Sequence, residues 1–444
     1  MSSIDLSLAE NSSKVSETMG SVPVNQEEFS RAAVESLIPN VRLSDSDPET
    51  GLDLFCYVTC SYSDSELLKQ CRGVIFKGDE LVLKTFPYTV EYTEQDHFEV
   101  VKNIDLNNCL VYDSFEGSIV KIFYHGDKWY VCTNRKLDAF RSKWASKDSF
   151  GFFFKKALEH QFKTNPRFEQ RGFKDVDPET VIEVFTNNFL DKDKQYVFLL
   201  LNNCENRIVC QEPENPTVYH VGTFIKGELS MEEDVCIPYP YKHSFSNIEE
   251  VYKYVDDIDY SKLQGVIIFA PDNKQYKILN IDYKNLYSAR GNEPSINFRY
   301  LQVRMDPKMN EMLRFLYPNK IETFDEYENY LYKTSKIVYE AYIQRFIKKQ
   351  FITLPVEEFK IMSEAHAWHQ YDREHNRISH NKIIEVLNMQ PPTNLNRIIR
   401  RLKLEKKNEG MDVENTKQQK PLLQRKNEKK ENNENNENNM ELEA

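Results

Sequence analysis

The chain has no apolar run approaching the ~18 residues that a bilayer-spanning helix requires, few glycines (13 in 444 residues), and no surplus of positive charge. The first absence excludes a helical membrane span. Residues 1–28 are Ser-rich and acidic, with neither a basic region nor an apolar core, so they do not read as a secretory signal. A formal net charge of −12 argues against a generic nucleic-acid coat, because phosphate binding is driven by Lys and Arg. A local basic groove stays open. The eight cysteines are scattered, and Cys56, Cys60 and Cys71 lack a second ligand pair at zinc-site spacing. They read as buried thiols of a reducing compartment. The expectation is a cytoplasmic protein, neither secreted nor membrane-bound.

What is present is a globular composition, with 40% hydrophobic and 29% charged residues, long enough for two or three domains. Enrichment in Lys, Asn, Tyr, Phe and Ile suits an AT-rich coding genome, such as that of some protists or large DNA viruses. Residues 1–45 read as a flexible leader with a short helix over Gln26–Leu37. Residues 46–300 are dominated by short strands: Leu54–Thr59, Gly73–Phe76, Glu80–Lys84, Ser118–Tyr124, Trp129–Thr133, Val181–Phe185, Tyr196–Asn202, Val266–Phe269 and Gln275–Ile278. Helices are expected over Ser149–Phe162 and Ile248–Val255. Residues 301–404 carry five helical segments separated by Pro318, Pro355 and Pro391-Pro392. Residues 405–444 are Lys/Glu/Asn-rich and read as disordered. The fold class is α+β, an antiparallel-sheet domain followed by an all-helical one.

Four motifs carry chemistry. Cys71-Arg72-Gly73-Val74-Ile75-Phe76 leads to Lys84-Thr85-Phe86-Pro87. Asp113-Ser114-Phe115-Glu116-Gly117-Ser118 opens a hairpin through Gly126-Asp127. Glu183 sits centrally in the apolar run 181–185, where a buried carboxylate would be costly without a partner; an edge-strand glutamate facing water is the plain alternative. Leu263-Gln264-Gly265-Val266 precedes Gln275-Tyr276-Lys277-Ile278-Leu279. In this order, over residues 50–290, they resemble the phage T4 RNA ligase 1 family of ATP-dependent nucleotidyltransferases, which also carries a helical domain C-terminally.

The resemblance implies a ligase-like nucleotidyltransferase domain, ATP with Mg²⁺ as cofactors, and RNA ends as substrate. Carried over position by position, it places Ser114, Glu116 and Gly117 in the catalytic turn, the Ser where the family has its lysine nucleophile. It places Arg72, Glu183, Gly265 and Lys277 around the nucleotide, with Glu183 holding either the ribose or the Mg²⁺. The departures all fall on chemistry. Serine cannot form the family's phosphoramidate and would need a base to attack phosphorus. Gln264 stands for a glutamate, removing a hard anionic ligand. Leu279 stands for a second lysine, removing charge compensation. Lys121 is a conceivable substitute nucleophile, but its side chain starts about 13 Å from Gly117 along an extended strand.

The expectation is therefore a pseudoenzyme that binds nucleotide, RNA ends or both without normal lysine adenylylation. One alternative is an active ATP-dependent RNA ligase or end-repair enzyme with an unconventional nucleophile. Another is an early regulatory protein of a large DNA virus, iridovirus-like, acting through protein contacts. Elsewhere, Arg397, Arg400 and Arg401 share a helix face suited to phosphate contact, or simply form a solvated terminal face. His366, His369 and His380 would share a face on a continuous helix, with capping and surface roles the expected ones.

Overall fold

A computed structural model describes residues 29–201, 207–271 and 273–418. Among the described residues, fourteen strands form three sheets. Strands β1 (Val41–Asp47), β2 (Leu52–Tyr57), β3 (Arg72–Lys77) and β4 (Glu80–Leu83) make an antiparallel meander. They are followed by β5 (Thr89–Tyr92), β6 (Leu110–Ser114), β7 (Ser118–His125), β8 (Lys128–Cys132) and β9 (Lys194–Leu201). The last are β10 (Thr217–Ile225), β11 (Glu228–Ser230), β12 (Lys242–His243), β13 (Gly265–Phe269) and β14 (Gln275–Leu279). The second sheet has the order β11-β10-β9-β7-β8 and the third β12-β6-β13-β14-β5. All pairings are antiparallel except β14 with β5.

The second and third sheets face each other across a layer holding Phe86, Tyr112, Val197, Val221, Phe224 and Phe269. The hairpin β7–β8 turns through Gly126 and Asp127, whose φ values of 57° and 66° are the left-handed pair that matches strand twist. The helix Phe150–Thr164 covers the outer face of the second sheet and buries Phe153, Phe154, Ala157, Leu158 and Phe162. After β14 the chain is helical, beginning with Ile281–Arg290 and Ile296–Val303. One core joins these helices to Ile321–Tyr342, Val356–Tyr371 and His380–Asn388, and Val209 and Cys210 pack into it. None of the described helices is long and apolar enough to cross a membrane.

Two expectations fail here. The segment read as the strand Val181–Phe185 is a helix, Val181–Phe189. Val181, Phe185 and Phe189 recur every four residues, and all three are buried against the helix Phe150–Thr164 and the second sheet. A five-residue apolar run carries no period; extending the window to Phe189 reveals the helical one. The leader also packs in part: residues 31–35 are helical, β1 begins at Val41, and Val34 and Val41 are fully buried. The rest of the segment read as a flexible leader, residues 1–28, and residues 419–444 lie outside the described residues, while 405–418 of the tail read as disordered continue the helix Pro392–Gln418.

Candidate nucleotide site

Strand alternation assembles the site. On the third sheet, Ser114, Gly265 and Leu279 stand in one cross-strand row, and Tyr112, Ile267, Lys277 and Glu91 in the next. A third row is Leu110, Phe269, Gln275 and Thr89. Side chains two residues apart share a face, so Ser114, Lys277 and Gln275 project the same way, toward the second sheet. A cavity opens between the sheets, with Arg72, Ser114, Gln264, Gln275 and Lys277 on one side. Ile119, Leu199 and Val221 form the opposite wall.

Both motif glycines are required by close approach. A Cβ on Gly117 would lie 2.6 Å from the Leu200 carbonyl oxygen, and one on Gly265 only 2.0 Å from that of Ile278. Gly265 also holds φ at +145°, which disfavours any other residue. Backbone bonds tie the two motifs together: Gln264 N–H donates to Ser114 O at 2.8 Å, and Asn280 N–H to Gln264 O at 2.9 Å.

Gln264 is the hub of the polar network. Its Oε1 accepts from the Lys277 ammonium at 2.8 Å and from Ser114 Oγ at 3.2 Å. Its Nε2 donates to the Tyr283 hydroxyl at 2.9 Å, which donates to Glu116 Oε2 at 3.2 Å. The nearest carboxylate to Lys277 is Glu91 at 3.9 Å. Burial pushes the Lys277 pKa down, and the neighbouring Arg72 adds to that. Arg72 donates to the Pro87 carbonyl at 3.0 Å and to Thr89 Oγ1 at 3.1 Å, and Thr89 donates to Gln275 Oε1 at 3.0 Å. Arg72, at the start of β3, and Lys277, on the third sheet, thus bring to this side of the cavity two cations whose close partners are neutral oxygens.

Glu116 has a different role. Its carboxylate accepts from the backbone N–H groups of Ile208 (2.7 Å), Val209 (2.9 Å) and Cys210 (3.2 Å). Burial raises its pKa, against the lowering by these bonds. The other acid of the turn, Asp113, is also occupied: His243 Nε2 and the Tyr254 hydroxyl each lie 2.7 Å from its Oδ1.

No family model matches the chain. An immediate-early protein ICP-46 homolog of Invertebrate iridescent virus 3 is 30% identical over 337 residues, covering 71% of this chain and 68% of that one. The chain belongs to the ICP-46 immediate-early protein family. The ICP-46 homolog of Invertebrate iridescent virus 6 is 29% identical over 373 residues, 79% of this chain and 80% of its own length. ICP-46 of Frog virus 3 is 28% identical over 269 residues, 58% of this chain and 64% of its own. Among solved structures, an archaeal ATP-dependent RNA ligase has a TM-score of 0.37 at 12% identity, covering 67% of this chain and 72% of that one. A putative ATP-dependent DNA ligase from Aquifex aeolicus has a TM-score of 0.35 at 14% identity, covering 75% and 78%. Scores at that level assign no activity.

In this ICP-46 family chain, Arg72, Ser114, Gln264 and Lys277 meet at the cavity, with Glu116, Gly117 and Gly265 supporting it. Glu183 does not join them. It is exposed on its helix and lines a separate groove on the outer side of the second sheet, with Trp129, Lys155 and Asn187. The strand that faces the turn at residues 114–118 is β9, where Leu199 presents an aliphatic side chain. Glu183→Ala should therefore leave nucleotide affinity unchanged and stability within about 0.5 kcal/mol, as for an ordinary surface substitution. Equilibrium binding and urea unfolding check both.

Lys121 is buried away from the cavity lining. Its ammonium donates to the carbonyls of Arg72 and Gly73, both at 2.9 Å, and burial lowers its pKa to about 8. Arg397 and Arg401 sit beside glutamates, Arg397 with its side chain still 70% exposed. Glu357 lies 3.8 Å from each of them, and Arg401 also pairs with Glu358. Their helical spacing turns them toward the acidic first turn of the neighbouring helix Val356–Tyr371, while Arg400 stays exposed. His366 stacks on Phe346 at 3.8 Å, and His380 bonds Ser335 at 2.8 Å.

Sequence reading missed Asp113–His243–Tyr254, Thr89–Gln275 and the Ile119–Leu199–Val221 wall. Gln275 was accessible through its two-residue offset from Lys277. Nothing in the sequence joins His243 to Asp113.

Proposed function

We propose that this ICP-46 family chain is an RNA-ligase-like pseudoenzyme: a nucleotide-binding protein, with RNA ends as a second ligand, that does not adenylylate itself at residue 114. The observation that carries this reading is the placement of Arg72 and Lys277 on one side of a cavity whose opposite wall is aliphatic, with Ser114 at the turn. Two cations without a close carboxylate suit an anionic phosphate group. The aromatic and aliphatic walls, with Phe115 stacked on Tyr219 at 4.7 Å, suit a base. The Ser114 hydroxyl has an amide oxygen as partner, which does not take a proton, so the serine lacks the base that would make it a nucleophile.

Incubation of the pure protein with α-labelled ATP and Mg²⁺ tests this. Saturable, non-covalent binding is expected; an acid-labile AMP adduct on the protein would overturn the pseudoenzyme reading. Family membership favours a second reading, an early regulatory protein working through protein contacts. Absence of both ATP and RNA binding at near-physiological salt would select it.

A further inference from the structure

The RNA-ligase resemblance implies a Mg²⁺ ion beside the nucleotide, and the donors present do not fit one. Mg²⁺ demands near-octahedral oxygen ligands, anionic ones among them. The acids of the turn already hold partners, and Glu91, in the Lys277 row, lies 3.9 Å from that ammonium. Asp113 Oδ1 is taken by His243 and Tyr254, and Glu116 by three backbone N–H groups and Tyr283. Gln264 offers a neutral amide oxygen, itself bonded to Lys277 and Ser114. The opposite wall is aliphatic at Ile119, Leu199 and Val221. Glu183 faces another groove. Among the described residues, no group of three or more His, Cys, Asp or Glu could hold a metal ion.

We infer that the cavity binds a nucleoside polyphosphate in its metal-free anionic form, with Arg72 and Lys277 supplying the countercharge a metal would otherwise provide. This rests on the nucleotide reading above and goes beyond it by naming the ionic species bound. A bound Mg²⁺ cancels much of the charge of a triphosphate. A site with two cations, whose nearest carboxylates are drawn to Lys277 or bonded to His243 and Tyr254, gains little from that ion, and loses part of its own attraction. A site built to hold the metal behaves oppositely, because its carboxylates repel the bare polyphosphate.

Calorimetric titration of the full chain with ATP, once in excess EDTA and once in millimolar Mg²⁺, decides the matter. The expected result is an affinity in EDTA at least equal to that in Mg²⁺. A loss of about tenfold or more on chelation, ~1.4 kcal/mol, would overturn the inference while leaving the nucleotide site standing. Absence of binding in both buffers would remove the nucleotide reading itself, and the inference with it.

Discussion

Lys277→Ala should weaken ATP binding by roughly 10- to 100-fold, since a charge-assisted hydrogen bond contributes about 1.5–3 kcal/mol. The same substitution should leave the fold as stable as before, or slightly more so. The two halves have one cause. The Lys277 side chain is 19% exposed and its nearest carboxylate among the described residues, Glu91, is 3.9 Å away. Its ammonium therefore exchanges hydration for a single neutral acceptor, Gln264 Oε1, and burial depresses its pKa.

A depressed pKa on a basic group means that, above its folded-state pKa and below 10.5, the folded chain binds fewer protons than the unfolded one. Stability then rises with pH through that window, and at neutral pH the charge is a cost to the fold. Removing it relieves the cost. Gln264 keeps Ser114 and Tyr283 as partners, so little else is lost. Calorimetry with ATP and urea unfolding of the same preparation separate the effects. An unchanged Kd in a folded variant would mean that the phosphates lie elsewhere.

The features that were legible before the structure were local. The β7–β8 hairpin could be read because Gly126-Asp127 is a turn pair flanked by alternating residues. The order of Arg72, Ser114, Gln264 and Lys277 was also visible, but their contact was not. Ser114 and Gln264 are 150 residues apart, and only the pairing of β6 with β13 brings them together. The reading of Glu183 failed because a short apolar run fits a buried strand and a buried helix equally well. Its carboxylate was then credited with a site that Leu199 faces. For Arg397 and Arg401, helical spacing shows which residues share a face, not that Glu357 and Glu358 lie beside it.

Glu116→Ala should destabilise the chain by about 3–5 kcal/mol, because three backbone N–H groups would lose their acceptor at about 1–3 kcal/mol each, partly offset by water. The resemblance placed this residue in the catalytic turn. The structure shows its carboxylate bonded to Ile208, Val209 and Cys210. That segment is fastened in turn to the helical region: Arg207 donates to Leu316 O at 2.9 Å, and the Tyr317 hydroxyl bonds the carbonyls of Arg207 (2.9 Å) and Ile208 (3.0 Å). Removing one carboxylate thus frees the turn from segment 207–210 and loosens that segment's hold on the helices. Hydrogen exchange at Ile208, Val209 and Cys210 should accelerate more than at β7 or β9.

The pH dependence supplies a second signature. Burial raises the Glu116 pKa above its ordinary 4.5, so between that value and the folded one the native chain holds more protons than the unfolded chain. Stability attributable to Glu116 therefore falls as pH rises through this window. Glu116→Gln, which does not titrate, should lack that slope even though it loses part of the N–H bonding. Urea unfolding of wild type and both variants from pH 4.5 upward measures it. A Glu116→Ala variant within 0.5 kcal/mol of wild type, about the spread of neutral surface changes, would return the carboxylate to a ligand-binding role. A large loss would show that the acid of the turn is committed to the scaffold, leaving the cavity's anion-binding chemistry to Arg72 and Lys277.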